Sequence, residues 1–230
     1  MKKTCHRFHP PEYDPGATEV FYENMARKGW VLKERGTRLS AFRREEPQEL
    51  RYRVEYVADK AAEPRDMPQE QLALYLDCGW TLAAYERCFY IFSTKADNPA
   101  QELYSDPEEQ AETVRSFDKM SNWSVFYLLV LGVPIIIWRI LRLKSVNATE
   151  AEWRTASLSL IGLFLFYASL YTPQLFSILG WKRLYRRLAA GEPVRRGGRR
   201  WYLLWRWLCL ILFAVSIFLI YYGLYRLSLL

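Results

Sequence analysis

The most reactive side chains in this sequence lie near its start. Cys5, His6 and His9 bring together one thiol and two imidazoles, a donor set that suits zinc. A closed zinc site needs four ligands, and the soluble part of the chain offers only Cys78 and Cys88 as further thiols. No two cysteines have CxxC spacing, so plain strand and surface positions account for all of these residues. No metal and no cofactor is expected. The chain also has no GxSxG elbow, no phosphate-cradling glycine loop and no HExxH helix. No catalytic residue is assigned, and the chain is read as a non-enzyme.

A second group points to binding. Arg53 and Glu55 are two apart in an alternating stretch and share one strand face, where they could hold a polar ligand. An exposed ion pair is the plainer account of the same spacing. Tyr90 belongs with Tyr52, Tyr56, Trp30 and Trp80, aromatics that line either a pocket or a core. Arg53, Glu55 and Tyr90 are the candidate ligand or partner contacts. The third group is a run of cations: Lys182, Arg183, Arg186, Arg187, Arg195, Arg196, Arg199 and Arg200, opposed only by Glu192. Trp181, Leu184, Tyr185 and Leu188 recur at helical spacing within it, so an interfacial amphipathic helix touching anionic lipid is expected. Nucleic acid is the rival partner for such a cluster, but basic loops between membrane spans are basic for orientation alone, and no direct nucleic-acid contact is expected.

The elements that position these groups come from an internal repeat with an offset of 50 residues. Gly29-Trp30 recurs as Gly79-Trp80, Leu32 as Leu82 and Phe42 as Phe92. Helices are expected over Pro15 to Lys28, behind an Asp14 cap, and over Pro68 to Cys78. Gly29 and Gly79 then end them in the left-handed conformation. Strands are expected at Lys3 to Phe8, Val31 to Arg35, Leu39 to Arg44, Leu50 to Tyr56, Thr81 to Tyr85 and Cys88 to Thr94. Residues 1–100 thus read as an α+β domain of two strand-helix-strand-strand repeats. The expected form is a ferredoxin-like sandwich, with an antiparallel-rich sheet and two helices on one face. Tandem modules of this kind can hold small molecules between their repeats, a fold-level analogy. Residues 101–122 are a connector, with a helix over Pro107 to Met120.

Charge separates this part from the rest of the chain. The protein has 230 residues and a net charge of +7, but residues 1–122 carry 18 basic and 22 acidic side chains against 14 and 3 in residues 123–230. An all-α membrane region of three transmembrane helices is expected over 123–230, with spans at about 123–141, 156–178 and 207–225. Tryptophan and tyrosine mark their ends, including Trp123, Trp138, Trp153, Trp181 and Tyr225. None of the three runs has a central charge to mark an ion path. The strongly basic second loop belongs in the cytoplasm, which puts the N-terminal domain there and the C-terminus outside. Lys2 and Lys3 precede no apolar run, so no cleaved signal peptide is expected.

Several of these segments together resemble the domain-of-unknown-function family 2812. They are Met1-Lys2-Lys3, Met25-Ala26 with Lys28-Gly29-Trp30 and Leu32, Tyr52-Arg53 with Glu55-Tyr56, Tyr90-Ile91-Phe92, and Glu102-Leu103-Tyr104-Ser105-Asp106. The resemblance covers roughly residues 2–120, and Cys5, His6 and His9 depart from it. It implies a bacterial multi-pass protein of the cell membrane, linked to PadR-type transcriptional repressors, and it supplies no catalytic residue. The function expected is that of a membrane-anchored regulatory or sensory protein whose cytoplasmic domain binds a small ligand or a protein partner. The alternative is a structural or accessory subunit of a membrane complex such as a transporter.

Overall fold

The computed structural model describes residues 3–57, 66–98, 110–111, 113–115, 117, 126, 130, 132–138, 140–141, 149–192, 194 and 201–227. The chain divides into two compact units, Met1–Met120 with Gly180–Arg199, and Ser121–Leu179 with Arg200–Leu230.

In the first unit the chain order is β1 (Thr4–Phe8), α1 (Pro15–Arg27), β2 (Trp30–Arg35), β3 (Leu39–Arg44), β4 (Leu50–Tyr56), α2 (Gln69–Asp77), β5 (Thr81–Glu86) and β6 (Phe89–Lys95). This is strand-helix-strand-strand twice over. Local chemistry sets the helix ends. The Asp14 carboxylate accepts from the Ala17 amide at 3.0 Å, and Pro15 opens α1 with its fixed φ. Gly29 and Gly79 follow the two helices at φ 75° and 83°, where a side chain would be strained.

The strands form two three-stranded antiparallel sheets, β1-β3-β2 and β4-β6-β5. The expected single sheet with two helices on one face is therefore corrected. The physical reason is visible at the edges. β2 and β5 lie side by side, yet each has a register break at the same repeat position, between Leu32 and Glu34 and between Leu82 and Ala84. These bulges lie in the β2–β3 and β5–β6 ladders, and a bulge bends and twists its strand, which makes each edge a poorer template for continuing the sheet. Thr37, just after β2, donates to the Glu86 carboxylate at the end of β5 at 2.9 Å, so the two strand ends are tied together by side chains.

Three apolar clusters hold the unit. One joins the two sheets through α1, with Tyr22, Phe42, Tyr52 and Ile91 fully buried. α1 also closes the free edge of β4, where the buried Glu19 carboxylate accepts from the Val54 amide at 3.1 Å. The second lies under α2, where Tyr75 stacks on Phe92 at 4.1 Å. The third gathers Cys88, Phe89, Ala111, Val114, Phe117, Trp181, Leu184 and Leu188. Within the expected Pro107 to Met120 helix, the described residues Gln110, Ala111, Thr113 to Arg115 and Phe117 are helical; the rest lie outside the described residues.

The second unit is helical. α3 runs over Glu150–Ala189 and contributes to both units, and α4 runs over Trp201–Leu227. Two stretches are long and apolar enough to cross a membrane, Ala156–Ala189 and Leu204–Gly223. Only 22% and 11% of their most apolar windows are buried, so they lack the coverage of a soluble core helix. Three spans are expected from the sequence, and two are found among the described residues. The first run, 123–141, is described only in part, at 126, 130, 132–138 and 140–141, and those residues are helical. α3 and α4 approach at small residues. A Cβ on Gly162 would lie 2.9 Å from the Ile220 amide, and one on Gly223 would lie 2.8 Å from Ser159 Cβ. Such close approach is how apolar helices gain packing in lipid. The hydroxyls of Ser159, Ser169, Thr172 and Ser216 donate to carbonyls of their own helices.

Candidate functional site

The seam between the repeats carries the candidate site. β2 and β5 are each an edge of their own sheet, and the bulges at Lys33 and Ala83 open a shallow groove of about 270 Å³ between them. Lys33, Glu34, Leu82, Ala83, Ala84 and Tyr85 line it. It offers one cation, one anion, a small apolar floor and an aromatic wall. Tyr85 is 60% exposed and stacks on Tyr90 at 5.6 Å, so one ring face is held in place and much of the side chain stays open.

A polar network closes one end of the seam. Arg35, the last residue of β2, is 3% exposed and donates to the Tyr22 hydroxyl at 2.8 Å, which lies 2.9 Å from Ser40 Oγ. The Arg35 guanidinium also sits over the Phe89 ring at 5.3 Å. Arg35 Nε and Glu86 Oε2 are buried without a hydrogen-bond partner among the described residues. His9 lies beside this network. Its Nδ1 is 2.8 Å from the Pro10 carbonyl and its Nε2 3.0 Å from the Gly36 carbonyl. Burial lowers its pKa, Arg35 lowers it further, and the two carbonyls oppose both. Burial raises the Glu12 carboxyl, and Arg35 works against that rise.

The expected contacts Arg53, Glu55 and Tyr90 do come together on one sheet face, with Glu55 directly opposite Tyr90 across β4 and β6. They face inward. Arg53 Nε donates to Glu55 Oε1 at 2.6 Å, and Glu55 is 5% exposed. The Tyr90 hydroxyl accepts from the Met67 amide at 3.0 Å. Burial works against the charge on Arg53, but the Glu55 carboxylate outweighs it and raises the guanidinium pKa. None of the three lines the groove. The repeat offset pointed toward the groove, since Lys33 and Ala83 are 50 apart. The bulges themselves leave no mark in the sequence.

Lys182, Arg183, Arg186 and Arg187 are exposed on α3, while Arg195, Arg196, Arg199 and Arg200 lie outside the described residues. The apolar face of this segment is not free for lipid. Trp181 stacks on Phe117 at 5.0 Å and meets Tyr56 edge-on at 5.8 Å, and Leu184 and Leu188 are buried in the same cluster. Aromatic partners inside the first unit give that face a dry contact that its spacing alone could not reveal. Cys5, His6 and His9 form no metal-ligand group of three, and none occurs elsewhere among the described residues.

No curated protein and no solved structure matched the chain. A family model described as "Protein of unknown function (DUF2812)" matches residues 14–126, which take in α1 through β6. That span carries both Gly-Trp repeats and the whole seam, and through it the chain belongs to this family.

Proposed function

We propose that this is a non-enzymatic, membrane-anchored sensory or regulatory protein whose α+β domain binds a small ligand in the groove between β2 and β5. The observation that supports this reading is the paired bulges at Lys33 and Ala83, which leave two sheet edges side by side with a groove between them. Lys33, Glu34 and Tyr85 would orient a small, partly aromatic polar molecule. The membrane part of the proposal has three spans, the domain in the cytoplasm and the C-terminus outside, in a bacterial cell membrane. A PadR-type regulator is the partner to which the family resemblance leads.

The test uses the full-length chain in mild detergent. It is equilibrated with a small-molecule extract of its host, separated, and its bound molecules identified by mass spectrometry, alongside Ala83→Trp, which fills the groove. A compound enriched by the parent chain and lost from the variant is the expected result. Enrichment by neither, or equally by both, sinks the groove as a ligand site. A periplasmic-type reporter fused after Leu230 should be active, and a cytoplasmic signal there would overturn the topology.

A further inference from the structure

The segment Trp181 to Leu188 has two faces with different partners. With about 3.6 residues per turn, Trp181, Leu184, Tyr185 and Leu188 fall on one side of α3 and Lys182, Arg183, Arg186 and Arg187 on the other. The first side is filled by Phe89, Phe117 and Tyr56 of its own unit. The second side is exposed. None of its four cations makes an ion pair among the described residues; Arg183 and Arg187 act on Tyr13 and Asp14 only against the rise that burial causes there. Four exposed cations on two successive turns, none in an ion pair among the described residues, form a strong local field.

Position in the helix says what that field meets. Lys182 follows Ile178, where the expected second span ends, by four residues, and Lys182 is the first charge after it. All four cations fall within nine residues of that point, the juxtamembrane placement in which basic side chains meet lipid headgroups. We infer that this face binds the headgroups of anionic phospholipids by charge alone, without insertion, because the side that would insert is already occupied by the α+β domain. The binding then couples to folding of that domain: lipid that holds the basic face also holds the helix that Phe117 and Phe89 grip. This rests on the membrane-anchored reading.

The experiment compares the full-length chain with Arg186→Gln/Arg187→Gln and with the quadruple change that adds Lys182→Gln and Arg183→Gln. Tm is measured in neutral detergent with added phosphatidylglycerol, phosphatidylcholine, inorganic phosphate or a short DNA duplex. Phosphatidylglycerol is expected to raise the parent Tm by about 2–4 °C, and phosphatidylcholine to leave it unchanged. The rise should shrink in the double variant, vanish in the quadruple variant and vanish in about 0.5 M salt, as a purely electrostatic contact must. An equal rise with phosphatidylcholine, or one that survives in the quadruple variant or at high salt, overturns the inference. An equal rise with phosphate or DNA overturns the assignment to lipid. Alkaline carbonate extraction of host membranes separates the two levels. Release of the chain refutes the anchored reading, whereas retention without a phosphatidylglycerol effect refutes this inference alone.

Discussion

The Tyr13 ring packs against the bare backbone of Gly180, so closely that a Cβ on the glycine would clash with its Cγ, Cδ2 and Cε2. Tyr13 sits just before α1, and Gly180 lies 167 residues later, immediately before Trp181. The same Tyr13 ring meets Trp181 edge-on at 6.4 Å. The contact joins the start of the repeat domain to the helix segment that completes its third cluster.

Gly180→Ala should therefore destabilise the first unit by about 1–3 kcal/mol, since the added methyl must displace an aromatic ring packed on a helix backbone. Thermal melting of the purified full-length chain reads this directly. Gly180→Ala combined with Tyr13→Ala should recover part of the loss, because the smaller side chain clears the clash. No recovery would place the strain elsewhere.

Trp181→Ala is expected to cost about 3–5 kcal/mol, the usual range for an aromatic removed from a core. The ring is 4% exposed and shares faces or edges with Tyr13, Tyr56 and Phe117. Faster proteolysis of residues 1–120 in this variant is the second readout. A variant as stable and as resistant as the parent would mean that the third cluster is dispensable.

Gly29→Ala carries two penalties. Its φ of 75° is costly for any side chain, and a Cβ there would lie 2.6 Å from the Glu45 carbonyl oxygen. A loss of about 1–2 kcal/mol is expected from the backbone conformation alone, with more from the contact. Gly29→Asn should be milder than Gly29→Val, because asparagine tolerates the left-handed region better. The opposite order, measured by denaturant unfolding, would show that the carbonyl contact dominates.

His9 gives a pH dependence. Its folded pKa lies below the ordinary 6.5 because burial, then Arg35, disfavours the imidazolium. The unfolded chain thus takes up this proton more readily. The stability His9 contributes is full above about pH 6.5 and is lost as pH falls through its lowered value. Glu12 has the opposite sign. Its pKa is raised from 4.5 by burial, so its contribution is full below that value and lost as pH rises through the raised one. Arg35 and Glu86 are the charged groups that bear on both. Between about pH 7.5 and 5.5 His9 lowers the parent Tm while Glu12 raises it, and His9→Gln should remove the lowering part, so the variant's Tm gains on the parent's as pH falls. Equal slopes in the two proteins would show that His9 is not the group responsible.

The sequence by itself determined every element that depends on near neighbours. The Asp14-Pro15 opening, the Gly29 and Gly79 stops, the alternation in β4 and the 50-residue repeat are local signals, and the structure realises each of them. The long uncharged stretches of α3 and α4 were legible for the same reason, since length and composition are enough to mark them. Tertiary structure decided three things. It split the expected sheet in two, with bulges at Lys33 and Ala83 in the two facing edge strands, and residue type does not announce a bulge. It turned Arg53, Glu55 and Tyr90 inward, because alternation shows that residues share a face and not what covers that face. It also gave the apolar side of Trp181 to Leu188 to the α+β domain, because an amphipathic helix of this spacing fits a lipid surface and a protein core equally well. Only the nearness of Phe89 and Phe117, far away in sequence, chose between them.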